Sequence, residues 1–241
     1  DQIIAIHNSQ LLVLNGSGLE PWSNDVLADV PSSVNVVSAS DGLATLEGED
    51  HEHAHEEDEH HEEEEAVTDP HVWLSPKLAK IQVQKITDAF IKADPIHADA
   101  YTTHSQTLQD RLAELDAEYE VGLAQCTSRV IITAHTAFAY LASTYGLEQL
   151  SIAGLTPDAE PSLSELGEIA DFALQNNVQY IFFESLVSPK LSETIAREVG
   201  AQTLVLNPLE GLTDEQIADG QDYFTVMREN LTNLRTALQC Q

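Results

Sequence analysis

The chain has 241 residues and a formal net charge of −31, from 10 Lys+Arg against 41 Asp+Glu. Hydrophobic residues make up 42% of the sequence, so we expect a folded protein of one or two domains with a sizeable core. Nucleic acids and anionic membrane surfaces are poor partners for so acidic a protein, because binding them requires clustered Lys and Arg. No apolar run is long enough to predict a membrane-spanning helix.

The first half of the chain predicts short strands and two helices. Apolar strands are predicted at 11–14, before a Gly-rich turn, and at 34–37. A helix is predicted to begin at Pro76, with Ser75 as its N-cap, and to stop near residue 94. A longer helix follows over 98–123, where apolar residues recur every three or four positions, and we expect it to connect two lobes as a stiff rod.

A segment of very different composition interrupts these elements. Residues 50–65 read DHEHAHEEDEHHEEEE, with ten acidic residues, five His and one Ala. Such a composition cannot bury a core, so a disordered loop is predicted at about 47–66. His-rich tracts bind transition metals, so we predict auxiliary metal capture here, with a mere spacer as the alternative. The histidines concerned are His51, His53, His55, His60 and His61.

From residue 125 onward, strands and helices alternate. This alternation predicts a parallel sheet with helices on both faces, and the fold class is therefore α/β. We expect an incomplete N-terminal α/β lobe at 1–97, a linking helix at 98–124 and a C-terminal α/β lobe at 125–241. The predicted strands are 130–132, 180–183 and 203–206, and the predicted helices are 136–145, 162–176, 189–199 and 220–238.

Several polar side chains follow predicted strands, where doubly wound sheets bind their ligands. His135, Glu184 and Glu210 each stand just past a strand, and His71 precedes a helix. Imidazole nitrogens and carboxylate oxygens together are suitable ligands for zinc or another divalent transition metal. Any one of these histidines taken alone is more often a capping or surface residue. The other ordered histidines are expected at the surface: His7, His97 and His104.

The sequence contains no recognisable catalytic motif, and it leaves the state of the two cysteines open. The sequence has no Gly-x-Ser-x-Gly elbow, His-Glu-x-x-His helix, Walker loop or Gly-x-Gly-x-x-Gly fingerprint, so we expect no enzyme. A metal-dependent hydrolase with an open zinc position is the alternative from another class. Cys126 and Cys240 lack metal-site or redox spacing, and both two unrelated thiols and one disulfide are compatible with the sequence.

Four motifs occur in order around the His-rich segment: NGSGLEPW at 15–22, DPHVWLSP at 69–76, TAHTAF at 133–138 and LNPLEGL at 206–212. Together they resemble the zinc-binding, ZnuA-like solute-binding proteins of bacterial ABC importers (the cluster A-I metal-binding family), over essentially the whole chain. The resemblance implies two α/β lobes joined by one rigid helix, with the metal in the cleft between them. It also implies a monomeric extracytoplasmic receptor, in the periplasm or as a cell-surface lipoprotein, that delivers Zn²⁺ to a membrane permease.

The same resemblance implies roles for individual residues. His71 and His135 correspond to metal ligands of the family, with Glu210 as the preferred carboxylate and Glu184 as the reserve. It also favours a Cys126–Cys240 disulfide. The family has another His ligand upstream of NGSGLEPW that has no counterpart here. We therefore expect an N-terminal truncation that removes a strand, its ligand loop and the export signal, with weaker zinc binding than in a complete version.

Two other readings stay close to this family. A manganese receptor would prefer more carboxylates and fewer imidazoles, so the His-rich segment favours zinc. An adhesin-like surface protein, in which metal binding is secondary, would account for an extracellular location as well.

Overall fold

The computed structural model describes residues 2–43, 45–46, 68–155 and 161–241. The predicted His-rich metal-capture segment, with His51, His53, His55, His60 and His61, lies outside the described residues. None of the helices in the described part is long and apolar enough to cross a membrane. Those helices are α1 (Gln2–His7), α2 (Ser23–Leu27), α3 (Pro76–Ala93), α4 (Ala98–Gly122), α5 (Ala139–Tyr145), α6 (Leu163–Gln175), α7 (Lys190–Val199), α8 (Asp214–Ala218) and α9 (Tyr223–Ala237).

The strands of the described residues form two parallel sheets. One sheet has two strands, and the other has four in the order β4-β3-β5-β6. Parallel sheets need helices on their faces, and the alternation along the chain supplies them. The α/β class, with parallel sheets flanked by helices, is confirmed. The strands are β1 (Leu11–Leu14), β2 (Asn35–Ser38), β3 (Val130–Thr133), β4 (Glu148–Ser151), β5 (Tyr180–Phe183) and β6 (Gln202–Val205).

The four-stranded sheet is buried on both faces because its central strands are apolar on both sides. Neighbouring residues of a strand point to opposite faces. Ile131 and Phe182 accordingly pack into one hydrophobic cluster, which includes residues of α4 and α9. Ile132 and Ile181 pack into a second cluster, formed with α6 and α7. The strands at 130–132 and 180–183 were predicted from these same continuous apolar runs.

Helix α4 supplies much of the larger cluster. Leu112, Leu115 and Tyr119 are almost fully buried along one stripe, as the three- and four-residue spacing predicted. Near the end of α4, a Cβ on Gly122 would lie 3.2 Å from the Leu231 side chain of α9, so glycine permits the close helix contact there. Leu74, which precedes α3, belongs to the same cluster. The division of the chain at 97 and 125 stays a prediction.

Two of the predicted helices begin later than expected, and hydrogen bonds to the β4 region explain the first shift. The helix predicted at 136–145 begins only at Ala139. Thr136 is held away from helical geometry because its N–H donates to Gly154 O at 2.9 Å, and its hydroxyl lies 2.6 Å from that of Ser151. The helix predicted from 220 begins at Tyr223.

The serines that precede α3 and α6 differ in whether their side chains cap the helix. Ser75 precedes α3, but its side chain caps no helix N–H. Its Oγ lies 2.9 Å from Thr144 Oγ1 instead, because the tertiary contact with α5 takes the hydroxyl. At the start of α6, Ser162 and Glu165 form a capping box and exchange both hydrogen bonds. Strand β4, which reads Glu-Gln-Leu-Ser, was not predicted, because its pairing with β3 rather than its hydropathy forms it.

Cys126 and Cys240 form a disulfide that joins the end of α4 to the chain end after α9. We expect the double variant Cys126→Ser, Cys240→Ser to lose about 2–5 kcal/mol of unfolding free energy, because the bond closes a loop of 114 residues in the unfolded chain. Urea denaturation with and without reductant measures this loss. Unchanged midpoints in reduced and oxidised protein would contradict a stabilising role for the bond.

Candidate metal centre

His71 is presented by a short helical turn that precedes α3. The turn spans Val72–Leu74, and His71 is only 2% exposed. Its backbone N–H donates to Asp69 Oδ1 at 2.9 Å, and the Nδ1–H of its ring donates to the same oxygen at 2.7 Å. Asn15, from the Gly-rich turn after β1, donates to the carbonyl of Pro70 at 3.1 Å. The backbone and the ring of His71 are therefore both held from outside the turn.

His135 follows β3 and is fully buried. Its carbonyl accepts hydrogen bonds from Thr133 Oγ1 at 2.9 Å and Gln149 Nε2 at 3.2 Å. Its ring Nδ1–H donates to Glu184, after β5, at 2.5 Å. The chain leaves β3 for β4 on one side and returns to β5 on the other, so this pair lies where the strand order reverses. Open α/β sheets bind ligands at that position.

Glu210, in the loop after β6, brings the two histidines together. Its Oε1 lies 3.0 Å from His71 Nε2 and 3.2 Å from His135 Nε2. The two imidazole rings meet edge to face, with centroids 5.3 Å apart. Ligand atoms of the three side chains all lie within 4.8 Å of one another, the only such group of His, Cys and acidic residues in the described part of the chain.

Asp69 and Glu184 contact the ring nitrogens that face away from Glu210, and these backing carboxylates fix the tautomers of His71 and His135. A carboxylate can only accept, so Asp69 and Glu184 keep the proton of each imidazole on Nδ1. The lone pair of each neutral ring is then on Nε2, the nitrogen that faces Glu210. Backing carboxylates of this kind orient metal-ligating histidines and raise their basicity.

The pKa values follow from this arrangement. Burial, the strongest influence on both rings, lowers the pKa of His71 and His135, but the hydrogen bonds to carboxylates outweigh it. The pKa of His71 is raised, and that of His135 is raised to about 9, with Glu184 its main partner. The hydrogen bonds from His135 and His71 lower the pKa of Glu210 to about 2. Without a metal, protons therefore occupy the space between the Nε2 atoms and the Glu210 carboxylate.

The spacing of these atoms suits a tetrahedral transition-metal ion. With bonds of about 2.0–2.1 Å, two ligands of a tetrahedral zinc are about 3.3 Å apart. The two observed nitrogen-to-oxygen distances, 3.0 and 3.2 Å, are close to that separation. Two imidazoles and one carboxylate are donors that zinc accepts, and an ion held by His71, His135 and Glu210 would have room for a fourth ligand.

Tyr140 of α5 ties this site to both ends of the His-rich segment. Its hydroxyl donates to the carbonyl of Asp69 at 3.1 Å and accepts from the N–H groups of Thr45 and Leu46 at 3.1 and 3.2 Å. Asp69 in turn backs the ring of His71. The chain on either side of 47–67 therefore meets at one buried hydroxyl next to the candidate site.

The structure brings together three of the predicted site residues, His71, His135 and Glu210. Glu184, the reserve carboxylate, contacts the Nδ1 of His135 and so lies on the opposite side of the ring from Glu210. His97 and His104 are exposed, as expected, and His7 is partly buried.

Asp69 and Tyr140 were missed from the sequence. The spacing Asp69-Pro-His71 could have indicated the first, since a carboxylate two residues before a histidine can reach its Nδ1. Tyr140 gave no comparable signal, because its partners lie about 70 and 95 positions away along the chain.

Substituting the backing carboxylates tests their influence on the Nε2 atoms. We expect Asp69→Asn and Glu184→Gln each to weaken zinc binding about 10–100-fold, because the amides no longer fix the tautomer or raise the basicity of the ring. Competition with a zinc-binding dye measures the affinity. Asp110→Asn, at an exposed carboxylate of α4 that accepts a hydrogen bond from Gln106 of the same helix, is the matched control. Affinities equal to that of the unsubstituted protein in both variants would contradict the assignment.

The fold and the site define the class: an α/β protein with a candidate transition-metal centre between parallel strands and a helical turn. The family profile described as "ZnuA: Zinc-uptake complex component A periplasmic" matches residues 1–237. The chain belongs to this ZnuA family.

Individual relatives agree with this assignment. The chain is 41% identical over 237 residues to the High-affinity zinc uptake system protein ZnuA of Bacillus subtilis, covering 98% of this chain and 74% of the relative. It is 38% identical over 239 residues to the Zinc-binding protein AdcA of Streptococcus pyogenes, covering 95% of this chain. The chain spans less than half of that AdcA, 46% of its length.

A solved structure is also similar throughout. The laminin binding protein Lmb of Streptococcus agalactiae, described as bifunctional with adhesin and metal transporting activity, superposes with a TM-score of 0.83 at 33% identity. The match covers 98% of this chain and 83% of that structure.

Proposed function

We propose that this protein is a zinc receptor that works outside the cytoplasm and hands Zn²⁺ to the permease of an ABC importer. The observation that carries the proposal is the convergence of His71, His135 and Glu210, whose ligand atoms lie within 4.8 Å of one another. Membership of a family described as a periplasmic zinc-uptake component supports the same function. Zn²⁺ is the cargo in this proposal, and the protein acts as a monomer.

The proposed ligands are His71 Nε2, His135 Nε2 and the Glu210 carboxylate, and the fourth position is left to water or another donor. Imidazoles favour zinc over calcium or magnesium, while manganese prefers more carboxylates. Each imidazole is oriented by a buried carboxylate on its other nitrogen, so little rearrangement is required on binding. His51, His53, His55, His60 and His61 are proposed to capture zinc as auxiliary ligands.

Metal content after purification without added metal or chelator tests the cargo. We expect close to one tightly held zinc per chain, with additional zinc that a weak chelator removes. Titration of metal-free protein with Zn²⁺ and Mn²⁺ in competition should favour zinc strongly. A preference for manganese would support a manganese receptor. Turnover of simple esters or peptides by the zinc-loaded protein, lost with Glu210→Ala, would support a hydrolase.

A second candidate function concerns adhesion to host matrix. The observation that favours it is the similarity to Lmb, whose description includes adhesin activity. Binding of the zinc-loaded and metal-free protein to immobilised laminin tests this candidate. Saturable binding that the unlabelled protein competes away would support an adhesin role, and background-level binding would remove it.

A further inference from the structure

Of the three proposed ligands, Glu210 is the least supported by its own surroundings. Its side chain is 32% exposed, whereas those of His71 and His135 are 3% and 0% exposed. Both rings have a backing carboxylate, but the hydrogen bonds of the Glu210 carboxylate within the described residues go only to those two rings. Its position therefore depends on the backbone that carries it.

That backbone is strained immediately before Glu210. Leu209 has a φ of +58°, in the left-handed region that residues with a Cβ rarely adopt. Such a conformation persists only where the surrounding structure fixes it, and it is concentrated at functional sites. The loop thus requires an external support to present Glu210.

Two buried asparagines provide this support. Asn230 of α9, 1% exposed, accepts from the N–H of Asn207 and donates to its carbonyl, both at 2.8 Å. The Asn207 side chain then accepts from the N–H of Leu209 at 2.8 Å and donates to Ser185 Oγ at 3.1 Å. The polar groups of both amides are therefore used, and they connect α9 to the strained residue.

A third contact holds the loop from the turn that carries His71. Trp73, in the turn that carries His71, donates from Nε1 to the carbonyl of Pro208 at 2.8 Å. Its ring centroid is 5.1 Å from that of His71. The backbones of residues 207, 208 and 209 are consequently each hydrogen-bonded to a side chain outside the proposed ligand set.

We propose that Asn230 is a positioning residue for the metal site: through Asn207, and together with Trp73, it holds the loop so that Glu210 meets both imidazoles before the ion arrives. A preorganised ligand loses less freedom on binding, and this increases affinity. This inference rests on the proposed function, because it assigns Asn230 an effect on metal affinity that operates through Glu210.

A double-mutant cycle tests the proposal, with zinc affinity measured by competition titration. We expect Asn230→Ala to weaken zinc binding about 10–100-fold, as removal of outer-shell partners does elsewhere. In a Glu210→Ala background, the same substitution should change the affinity less than about twofold, since the ligand it positions is gone. Asn233→Ala is the matched control: it lies one turn further along α9 and donates to Val205 O, before the loop.

The outcomes separate this inference from the proposed function. Equal losses for Asn230→Ala in both backgrounds, or an equal loss for Asn233→Ala, would overturn the positioning role. If Glu210→Ala itself leaves the zinc affinity unchanged, the proposed site fails as well. Thermal unfolding of each metal-free variant checks folding. If Asn230→Ala does not fold, Trp73→Phe takes its place in the same cycle: it removes the hydrogen bond to Pro208 and makes the ring smaller, and a loss of affinity that disappears in the Glu210→Ala background would support the positioning role.

Discussion

Replacing His135 by Ala is expected to abolish tight zinc binding. Structural zinc sites with four ligands bind with roughly 10–16 kcal/mol, so one ligand is worth about 2.5–4 kcal/mol. Loss of His135 should therefore weaken binding by roughly 70–1,000-fold. We expect His71→Ala to have an effect of similar size, because the two Nε2 atoms face Glu210 at nearly equal distances.

The measurement is a competition titration at pH 7.5 in protein whose segment 47–67 is deleted, so that the tight site is observed alone. His104→Ala, at an exposed position of α4, is the matched control and should bind like the unsubstituted protein. His135→Ala also leaves the carboxylate of Glu184 buried without its ring partner, so a lower unfolding temperature of the metal-free variant is expected. Retention of full zinc affinity in both histidine variants would remove the proposed site.

Acidification is expected to release the metal, because protons and the ion compete for the same Nε2 lone pairs. The pKa of His135 is about 9, and that of His71 is raised above its ordinary value of 6.5. At neutral pH, zinc must therefore displace one or two protons. Each displaced proton makes the affinity fall about tenfold per pH unit, so between pH 8 and pH 6 we expect a loss of roughly 10²–10⁴-fold.

The metal-free protein should show the opposite dependence. The folded pKa of His135 lies above its ordinary 6.5, so its contribution to stability is complete below pH 6.5 and is lost as the pH rises through about 9. The pKa of Glu210 is lowered from 4.5 to about 2, so its contribution is complete above pH 4.5 and is lost as the pH falls through about 2. This interaction therefore stabilises the metal-free form most between pH 4.5 and 6.5.

Zinc titrations from pH 5.5 to 9, together with calorimetry in buffers of different ionisation enthalpy, give the number of protons released. Glu210→Gln is the control, because removing its charge lowers the pKa of both histidines and should move the proton release to lower pH. Thermal unfolding of the metal-free protein over the same range tests the stability trend. Zinc binding without proton release at pH 7 would contradict the assigned protonation states.

Local sequence patterns determined the class of fold. Apolar runs such as Val130-Ile131-Ile132 predict buried parallel strands, and the stripe on α4 predicts a long packed helix, because burial periodicity is a property of neighbouring residues. These local patterns did not predict segments whose structure depends on residues distant in the sequence. Strand β4 exists because β3 lies beside it, and the start of α5 is shifted because Thr136 bonds residues of the β4 region.

The candidate site, too, was only partly predictable from the sequence. His71, His135 and Glu210 could be selected from strand ends and from motifs that resemble a known family, because imidazoles and carboxylates are recognisable by chemical type. The sequence did not show that Glu184, the reserve carboxylate, contacts the other ring nitrogen of His135. Glu184 and Glu210 both follow strands, and only the three-dimensional structure puts one on Nδ1 and the other on Nε2 of His135.

By itself, the sequence therefore determined the α/β class, the kinds of ligand and the segments that carry them. The tertiary structure decided how those segments meet: Asp69 behind His71, Glu184 behind His135, and the Asn230 contact that supports the loop of Glu210. The physical reason is that strand and helix signals arise from residues a few positions apart. The site, in contrast, depends on distances of a few ångströms between side chains separated by up to 139 positions, and packing sets those distances.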